Sequence, residues 1–81
     1  MSSDNWLHVG KRTDGKFAIV HQMGDGAEES KLQELLDQSP VVFDDLPTTV
    51  IRAHRRAVAE YVEYGVHVDP EIVEDWLKTN E

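Results

Sequence analysis

Apolar and polar residues are mixed in two strand-favouring runs near the start of the chain, within residues 5–23. The dipeptide Asp14-Gly15 lies between the two runs. Two β-rich runs joined by a turn that contains Asp-Gly are typical of a hairpin. The sequence therefore predicts an antiparallel β-hairpin over residues 5–23.

Two registers of this hairpin are compatible with the turn. A two-residue loop at Asp14-Gly15 would place His8 opposite His21. A three-residue loop over residues 13–15, with Gly15 in a left-handed conformation, would place His8 opposite Val20. The choice decides which side chains share a face of the sheet, because a one-residue slip exchanges the two faces.

The three-residue loop gives the cleaner separation of apolar and polar side chains. It pairs Val9 with Ile19 and leaves one face of the hairpin more polar. The opposite face then collects four apolar residues, Leu7, Val9, Phe17 and Ile19. Because burial of an apolar face fixes the register of a hairpin, the three-residue loop is favoured.

The segment after the hairpin predicts a short helix over residues 26–38. Asp25 or Gly26 can open this helix, and Ser39-Pro40 ends it. Its apolar stripe consists of three leucines, Leu32, Leu35 and Leu36. The sequence Val-Val-Phe at residues 41–43 follows, and it forms either a short third strand or a buried connector. The strand is favoured.

A longer helix is predicted over residues 48–64, and a final short helix over residues 70–78. Gly65 is well placed to end the long helix in a left-handed conformation. Asp69 can cap the final helix, whose apolar face consists of Ile72, Val73, Trp76 and Leu77. We therefore expect a single α+β domain over residues 1–81, with the hairpin packed on three helices.

The long helix has one broad apolar arc on a helical wheel. The arc contains Val50, Ile51, Ala53, Ala57, Val58, Tyr61, Val62 and Tyr64. His54 lies near the middle of this arc, which predicts a neutral core histidine bonded to a backbone carbonyl or a tyrosine hydroxyl. A pH-sensitive or ligand-binding histidine is the alternative.

Composition limits the class of protein. The chain has 81 residues, of which 40% are hydrophobic, and this favours one small globular domain. It has no cysteine, which excludes disulfides, thiolate zinc sites and thiol nucleophiles. No apolar stretch approaches the roughly 20 residues of a membrane-spanning helix, and the first residues do not resemble a secretory signal. A cytoplasmic protein that does not contact a membrane is expected.

The net charge of −8 is unevenly distributed along the chain. Residues 24–47 carry seven acidic side chains and one basic side chain, whereas residues 1–23 carry three basic and two acidic ones. A chain this acidic is repelled by nucleic acid unless its basic groups are concentrated locally. The size and composition resemble those of small acidic proteins encoded by bacteria and phages.

Three arginines in the first half of the long helix, Arg52, Arg55 and Arg56, are the local concentration of positive charge. Cations are unfavourable near the N-terminal end of a helix, so partners elsewhere are expected. One interpretation is pairing within the fold, to Asp44, Asp45 or the acidic first helix. The other is an exposed patch that binds an anion or a protein.

Catalytic and metal-binding patterns are largely missing from the sequence. The glycines of residues 24–26 lack the lysine of a phosphate-binding loop, and there is no HExxH, serine elbow or calcium loop. His8 and His21 on neighbouring strands, with His67 elsewhere, make a weak zinc site without a third fixed ligand. We expect no enzyme activity, no cofactor and no structural metal.

These observations favour a small non-enzymatic domain that binds another protein, with the oligomeric state left open. One alternative is an inhibitor whose carboxylates imitate nucleic-acid phosphates on a basic protein. Its candidate residues are Glu28, Glu29, Glu34, Asp37, Asp44 and Asp45. Another alternative is a small regulator that contacts nucleic acid through Arg52, Arg55 and Arg56, although nucleic-acid binding has little support.

Overall fold

Three strands and three helices make up the computed structural model, which describes residues 5–23 and 29–79. The elements are β1 (Asn5–Lys11), β2 (Phe17–Met23), α1 (Glu29–Gln38), α2 (Leu46–Ala59), β3 (Val66–Val68) and α3 (Pro70–Thr79). The strand order is β2-β1-β3, with β1 in the centre of the sheet. The predicted α+β class, with an N-terminal hairpin packed on three helices, is confirmed.

The hairpin has the register that its apolar face favoured. Val9 lies opposite Ile19, and His8 lies opposite Val20. The amide of Arg12 donates to the carbonyl of Lys16 at 2.7 Å, which encloses a three-residue loop. Gly15 in that loop has φ 87°, a left-handed conformation that glycine adopts without strain.

The third strand lies at residues 66–68 and not at residues 41–43. β3 runs parallel to β1, and the amide of Leu7 donates to the carbonyl of Gly65 at 2.8 Å. Residues 41–43 make only an isolated bridge, in which Phe43 exchanges two backbone hydrogen bonds of 2.9 Å with Phe17. Because Pro40 has no amide donor and the cap of α2 follows at Asp45, the pairing extends no further.

α2 begins two residues before the predicted start. The side chain of Asp45 caps it, since the amide of Thr48 donates to one carboxylate oxygen at 2.7 Å and the Thr48 hydroxyl donates to the other at 2.9 Å. Pro47 lies in the first turn, where its missing amide hydrogen has no helical acceptor. The cap shows that the Asp45 carboxylate has a structural role.

α2 ends at Ala59, five residues before the predicted end. Tyr61 has φ 54°, and the amide of Val62 reaches back to the carbonyl of Ala57 at 2.9 Å. The amide of Tyr61 donates to the carbonyl of Val58 at 3.4 Å, which completes the hydrogen-bond pattern of a Schellman motif. Tyr61 therefore holds the left-handed position that we assigned to Gly65, whose own φ of 69° belongs to the turn before β3.

One face of the sheet, which we call the closed face, forms the main core. Val9 and Phe17 pack there with Leu46 and Ala53 of α2, and all four side chains are buried. The Trp76 ring of α3 packs edge-on against the Phe17 ring, with centroids 5.9 Å apart. Ile72 and Val73 also pack on this core, whereas Leu77 of the predicted apolar face is exposed.

The opposite face of the sheet, which we call the groove face, is covered by α1 over β2. Leu36 is buried against Ala18 and Val20, and Leu32 packs beside them. Leu35, the third leucine of the predicted stripe, is 46% exposed. The predicted start of this helix, at residue 26, lies outside the described residues. The remainder of the groove face, over β1 and β3, stays open.

Candidate functional site

His54 is exposed, and its predicted place in the core is wrong. The buried side of α2 is narrower than the apolar arc of the helical wheel. It consists of Leu46, Thr49, Ala53 and Ala57. These residues are three or four positions apart, so they form a single stripe along the helix.

Small residues explain the narrow contact. Ala53 and Ala57 bring α2 close to the sheet, and the hydroxyl of the fully buried Thr49 donates to the carbonyl of Asp45 at 2.7 Å. Val50, next to Thr49, reaches this core but is only partly buried. The helical wheel predicts the buried side of a helix from the hydrophobicity of its residues. In this structure, α2 contacts the sheet mainly through small residues. The spacing of Thr49, Ala53 and Ala57 is the sequence feature that indicates the true contact.

Large apolar side chains consequently lie on the outside of α2. The exposed fraction is 57% for Ile51, 77% for Val58 and 91% for Tyr61. His54 and Arg55 are exposed between them, three and four positions after Ile51. We call Ile51, His54, Arg55, Val58 and Tyr61 the α2 outer face. The helical wheel places four of these five residues, all except Arg55, in the buried arc, and that prediction is wrong.

The three arginines differ in their surroundings. Arg56 pairs with Glu60 one turn later, with 3.0 Å between Nε and the carboxylate oxygen. Arg52 and Arg55 are exposed and have no ion-pair partner within residues 5–23 and 29–79. The expected pairing with Asp44 or Asp45 is not formed. α2 therefore presents two unneutralised cations on a chain of net charge −8.

Asp44 and Asp45 have other partners. The Asp44 carboxylate accepts from the Lys16 ammonium at 2.7 Å, and this contact raises the pKa of Lys16. Hydrogen bonds from Thr48 lower the pKa of the Asp45 carboxyl. Both carboxylates therefore make contacts within the fold just before α2, Asp44 with Lys16 next to the β-turn and Asp45 as the cap of the helix.

The acidic set proposed for nucleic-acid mimicry is divided in the structure. Asp37 accepts from the Thr13 amide at 2.9 Å, which lowers the pKa of its carboxyl, and from Gln33 at 3.2 Å. Glu34 is exposed on α1. Glu29 is the first residue of α1, and Glu28 lies outside the described residues. Three of the four described carboxylates, those of Asp37, Asp44 and Asp45, therefore make contacts within the fold.

The histidines do not assemble a metal site in the described residues. His8 and His21 point to opposite faces of the sheet, because His8 pairs with Val20 and His21 pairs with Leu7. His8 instead stacks on His67 of β3. Within residues 5–23 and 29–79, no group of three or more histidine, aspartate and glutamate side chains is placed to hold an ion.

Comparison of the chain with family models, curated proteins and solved structures gave no match. None of the described helices has both the length and the apolar character needed to cross a membrane. A functional assignment must therefore come from the chain's own surface, where the α2 outer face combines exposed apolar side chains with an unpaired cation.

Proposed function

We propose that this protein is a non-enzymatic interaction domain, and that it binds another protein through the α2 outer face. The observation that carries the proposal is Tyr61. This residue adopts a left-handed backbone conformation and is 91% exposed. The domain thus presents a strained aromatic residue to solvent at the end of its longest described helix.

The conformation of Tyr61 has an energetic cost that a glycine would avoid. A left-handed conformation costs an L-residue roughly 1–2 kcal/mol, and glycine is the usual residue at this position of a Schellman motif. The Tyr61 side chain recovers little of this cost by burial. Tyrosine is, however, enriched among the residues that contribute most to binding at protein interfaces. A partner that covers Tyr61 accounts for an aromatic residue at this position.

The remainder of the α2 outer face indicates the chemistry of the partner. Ile51 and Val58 supply an exposed apolar strip along α2, and Val58 lies three positions before Tyr61. Arg55 lies beside this strip and has no ion-pair partner in the described part of the chain. An apolar surface that carries a carboxylate would cover the strip and neutralise Arg55. The partner is therefore a protein with an apolar and acidic surface.

The other two hypotheses receive less support. Nucleic-acid binding needs several cations, yet Arg56 is paired with Glu60, and exposed aliphatic residues flank Arg55. Mimicry of nucleic acid needs free carboxylates, and Asp37, Asp44 and Asp45 already make contacts within the fold. A cytoplasmic location belongs to the proposal, in keeping with a chain that has no cysteine for disulfides.

Photo-crosslinking in the native host can test the proposal. A photoreactive amino acid at Ile51 or Val58 should capture the same protein from both positions. The same group at Leu77, which is exposed on α3, should not capture it. The substitutions Tyr61→Gly and Arg55→Glu should each remove the crosslink, whereas Leu77→Ala should leave it intact.

The variant Tyr61→Gly makes the test specific because it should change stability and binding in opposite directions. Relief of backbone strain should raise Tm by about 4–8 °C for a domain of this size. Loss of the aromatic side chain should weaken binding to the captured protein about 30-fold. Capture that survives both Tyr61→Gly and Arg55→Glu, or capture only of a second copy of this chain, would contradict the proposal.

A further inference from the structure

The groove face contains an open groove of about 930 Å³ between α1, β1 and β3. Its walls include Trp6 and His8 of β1, Gln22 of β2, Leu36 of α1 and His67 of β3. This groove does not involve the α2 outer face, since α2 packs on the closed face. Its volume lies within the range of small-molecule sites, roughly 300–1,000 Å³.

Two mostly buried polar side chains in this groove, His8 and Gln22, make no hydrogen bond with the described part of the chain. The exposed fraction is 9% for His8 and 7% for Gln22, and neither side chain forms a hydrogen bond with another described residue. No side-chain nitrogen or oxygen in the described ranges is completely buried without a partner. The polar atoms of His8 and Gln22 therefore reach the groove, where they are available to a ligand.

These two residues occupy positions where apolar side chains would suit the fold better. Gln22 lies opposite Trp6 and two residues after the buried Val20 on the same face of β2. A polar side chain that is mostly buried and makes no protein hydrogen bond stabilises the fold less than an apolar side chain of similar size would at the same place. A local rule that is broken without compensation in the fold indicates a functional position.

Aromatic rings beside Gln22 and His8 favour a flat ligand. The rings of His8 and His67 stack with centroids 5.5 Å apart and planes 29° apart. Trp6 lies on the same face of β1 as His8, one pleat away. Gly10 adds no side chain, and a Cβ there would lie 3.2 Å from Nε2 of His8. A planar ring can therefore stack against these rings while its edge approaches His8 and Gln22.

The hydrogen-bonding groups of the groove match an uncharged ring. The Gln22 carboxamide offers a donor and an acceptor side by side, which is the pairing that glutamine makes with the edge of adenine. Burial, and then the neighbouring His67, lower the pKa of His8, so its imidazole is neutral near pH 7 and can also donate and accept. Asp69 and Glu71 line the same groove, and its one lysine, Lys11, is paired with Asp75, so the charge along the rim disfavours a phosphate.

We propose that the groove formed by Trp6, His8, Gln22 and His67 binds an uncharged planar nitrogen heterocycle, of the nucleobase or nucleoside class. The ring stacks on the aromatic wall, and its donor and acceptor edge is bound by Gln22 and His8. The acidic rim selects the nucleoside over the nucleotide.

Titration of the isotope-labelled protein with the four common nucleosides, followed by two-dimensional NMR, tests this site. At least one nucleoside should shift the signals of Trp6, His8, Gln22 and His67, at concentrations up to about 10 mM. The corresponding monophosphate should bind at least threefold more weakly. Glucose should cause no shifts at these residues. Absence of shifts with all four nucleosides, or equal binding of glucose or the monophosphate, would overturn the proposal.

The substitution Gln22→Met separates ligand binding from folding. It keeps a side chain of similar volume but removes the donor and the acceptor, so nucleoside affinity should fall about tenfold or more. Without ligand, Tm should rise by about 4 °C, because an unpartnered polar group has been replaced. The control His21→Ala changes an exposed residue of the same strand that points to the closed face, and it should leave affinity unchanged. A Gln22→Met variant with unchanged affinity would remove Gln22 from the site.

Discussion

The two faces of the sheet use the same strands for different purposes. On the closed face, Val9 and Phe17 meet Leu46 and Ala53, and all four are buried apolar side chains. On the groove face, His8 and Gln22 are nearly as buried, but their side chains make no hydrogen bond with the described residues. Along the middle of β1, the apolar side chains of Leu7 and Val9 point to the closed face, and the polar side chain of His8 between them points to the groove face.

The difference lies in the helices that cover each face. α2 packs through a stripe of small residues, which brings its backbone close to the sheet. α1 covers β2 through Leu36 and Leu32 and leaves β1 and β3 open. The closed face therefore contains the larger apolar core. The groove face keeps polar groups accessible, at some cost in stability.

The largest expected effect concerns the contact between α2 and the closed face of the sheet. Ala53→Asp places a charge in a fully buried site without a partner, so the free energy of unfolding should fall by about 3 kcal/mol or more. His54→Asp changes the next residue, which is exposed, and should cost less than about 1 kcal/mol. Denaturant midpoints measure both variants. A similar decrease in the free energy of unfolding for both variants would mean that His54 is buried in the core and does not belong to an exposed α2 outer face.

A smaller effect is expected where α1 meets the groove face. A Cβ at Gly10 would lie 2.5 Å from Cδ1 of Leu36, which is buried. Gly10→Ala should therefore displace Leu36 and lower the free energy of unfolding by about 1–3 kcal/mol.

A double-mutant cycle can assign the effect of Gly10→Ala to this contact. The variant Leu36→Ala removes the clashing side chain, so adding Gly10→Ala to it should cost clearly less than in the wild-type chain. Urea unfolding of the four proteins measures the coupling. Strict additivity of the two substitutions would show that Leu36 does not pack on Gly10.

The smallest expected effect is a pH dependence that belongs to the groove face. Burial, followed by the neighbouring His67, lowers the pKa of His8 below 6.5, whereas Asp69 opposes this shift. The unfolded chain therefore takes up this proton first as the pH falls, and stability should decrease from about pH 6.5 downward until the folded pKa is passed.

The variant His8→Gln should reduce this slope, measured as the change in denaturant midpoint with pH. The shifted carboxyl groups of Asp37 and Asp45 titrate in a separate range, because their pKa values are lowered from 3.8. His21→Gln changes an exposed histidine of β2 that points to the closed face, and it serves as the matched control. An unchanged slope in His8→Gln would indicate that His8 is solvated as fully as in the unfolded chain.

Local rules were sufficient for the hairpin. The Asp14-Gly15 turn and the alternation of side chains specify one register, and the structure has that register. Each requirement is met by residues close together in sequence, because the turn allows a loop of two or three residues and the apolar face selects between them. The same alternation places His8 and Gln22 on one face of the hairpin, so the sequence is sufficient to predict that these two groove residues lie on the same side of the sheet.

Long-range contacts decided the features that the sequence predicted incorrectly. β3 has three residues, too few for a periodic pattern, and its pairing with β1 spans most of the chain. Residues 41–43 have stronger strand-forming composition, yet they lie between Pro40 and the cap of α2 and contact β2 only at Phe43. Such a short strand forms where the free edge of another strand, here β1, can pair with it, and its own sequence does not determine its position.

The sequence by itself determined the α+β class, the hairpin register and the presence of three helices, because turn residues, caps and periodicity act over short distances. Only the tertiary structure decided which side of α2 is buried. Close packing selects the side that fits the sheet, and Ala53 and Ala57 fit more closely than Ile51 or Val58. The exposed face of Tyr61 and its neighbours results from that fit, whereas the groove results from α1, which covers β2 and leaves β1 and β3 open.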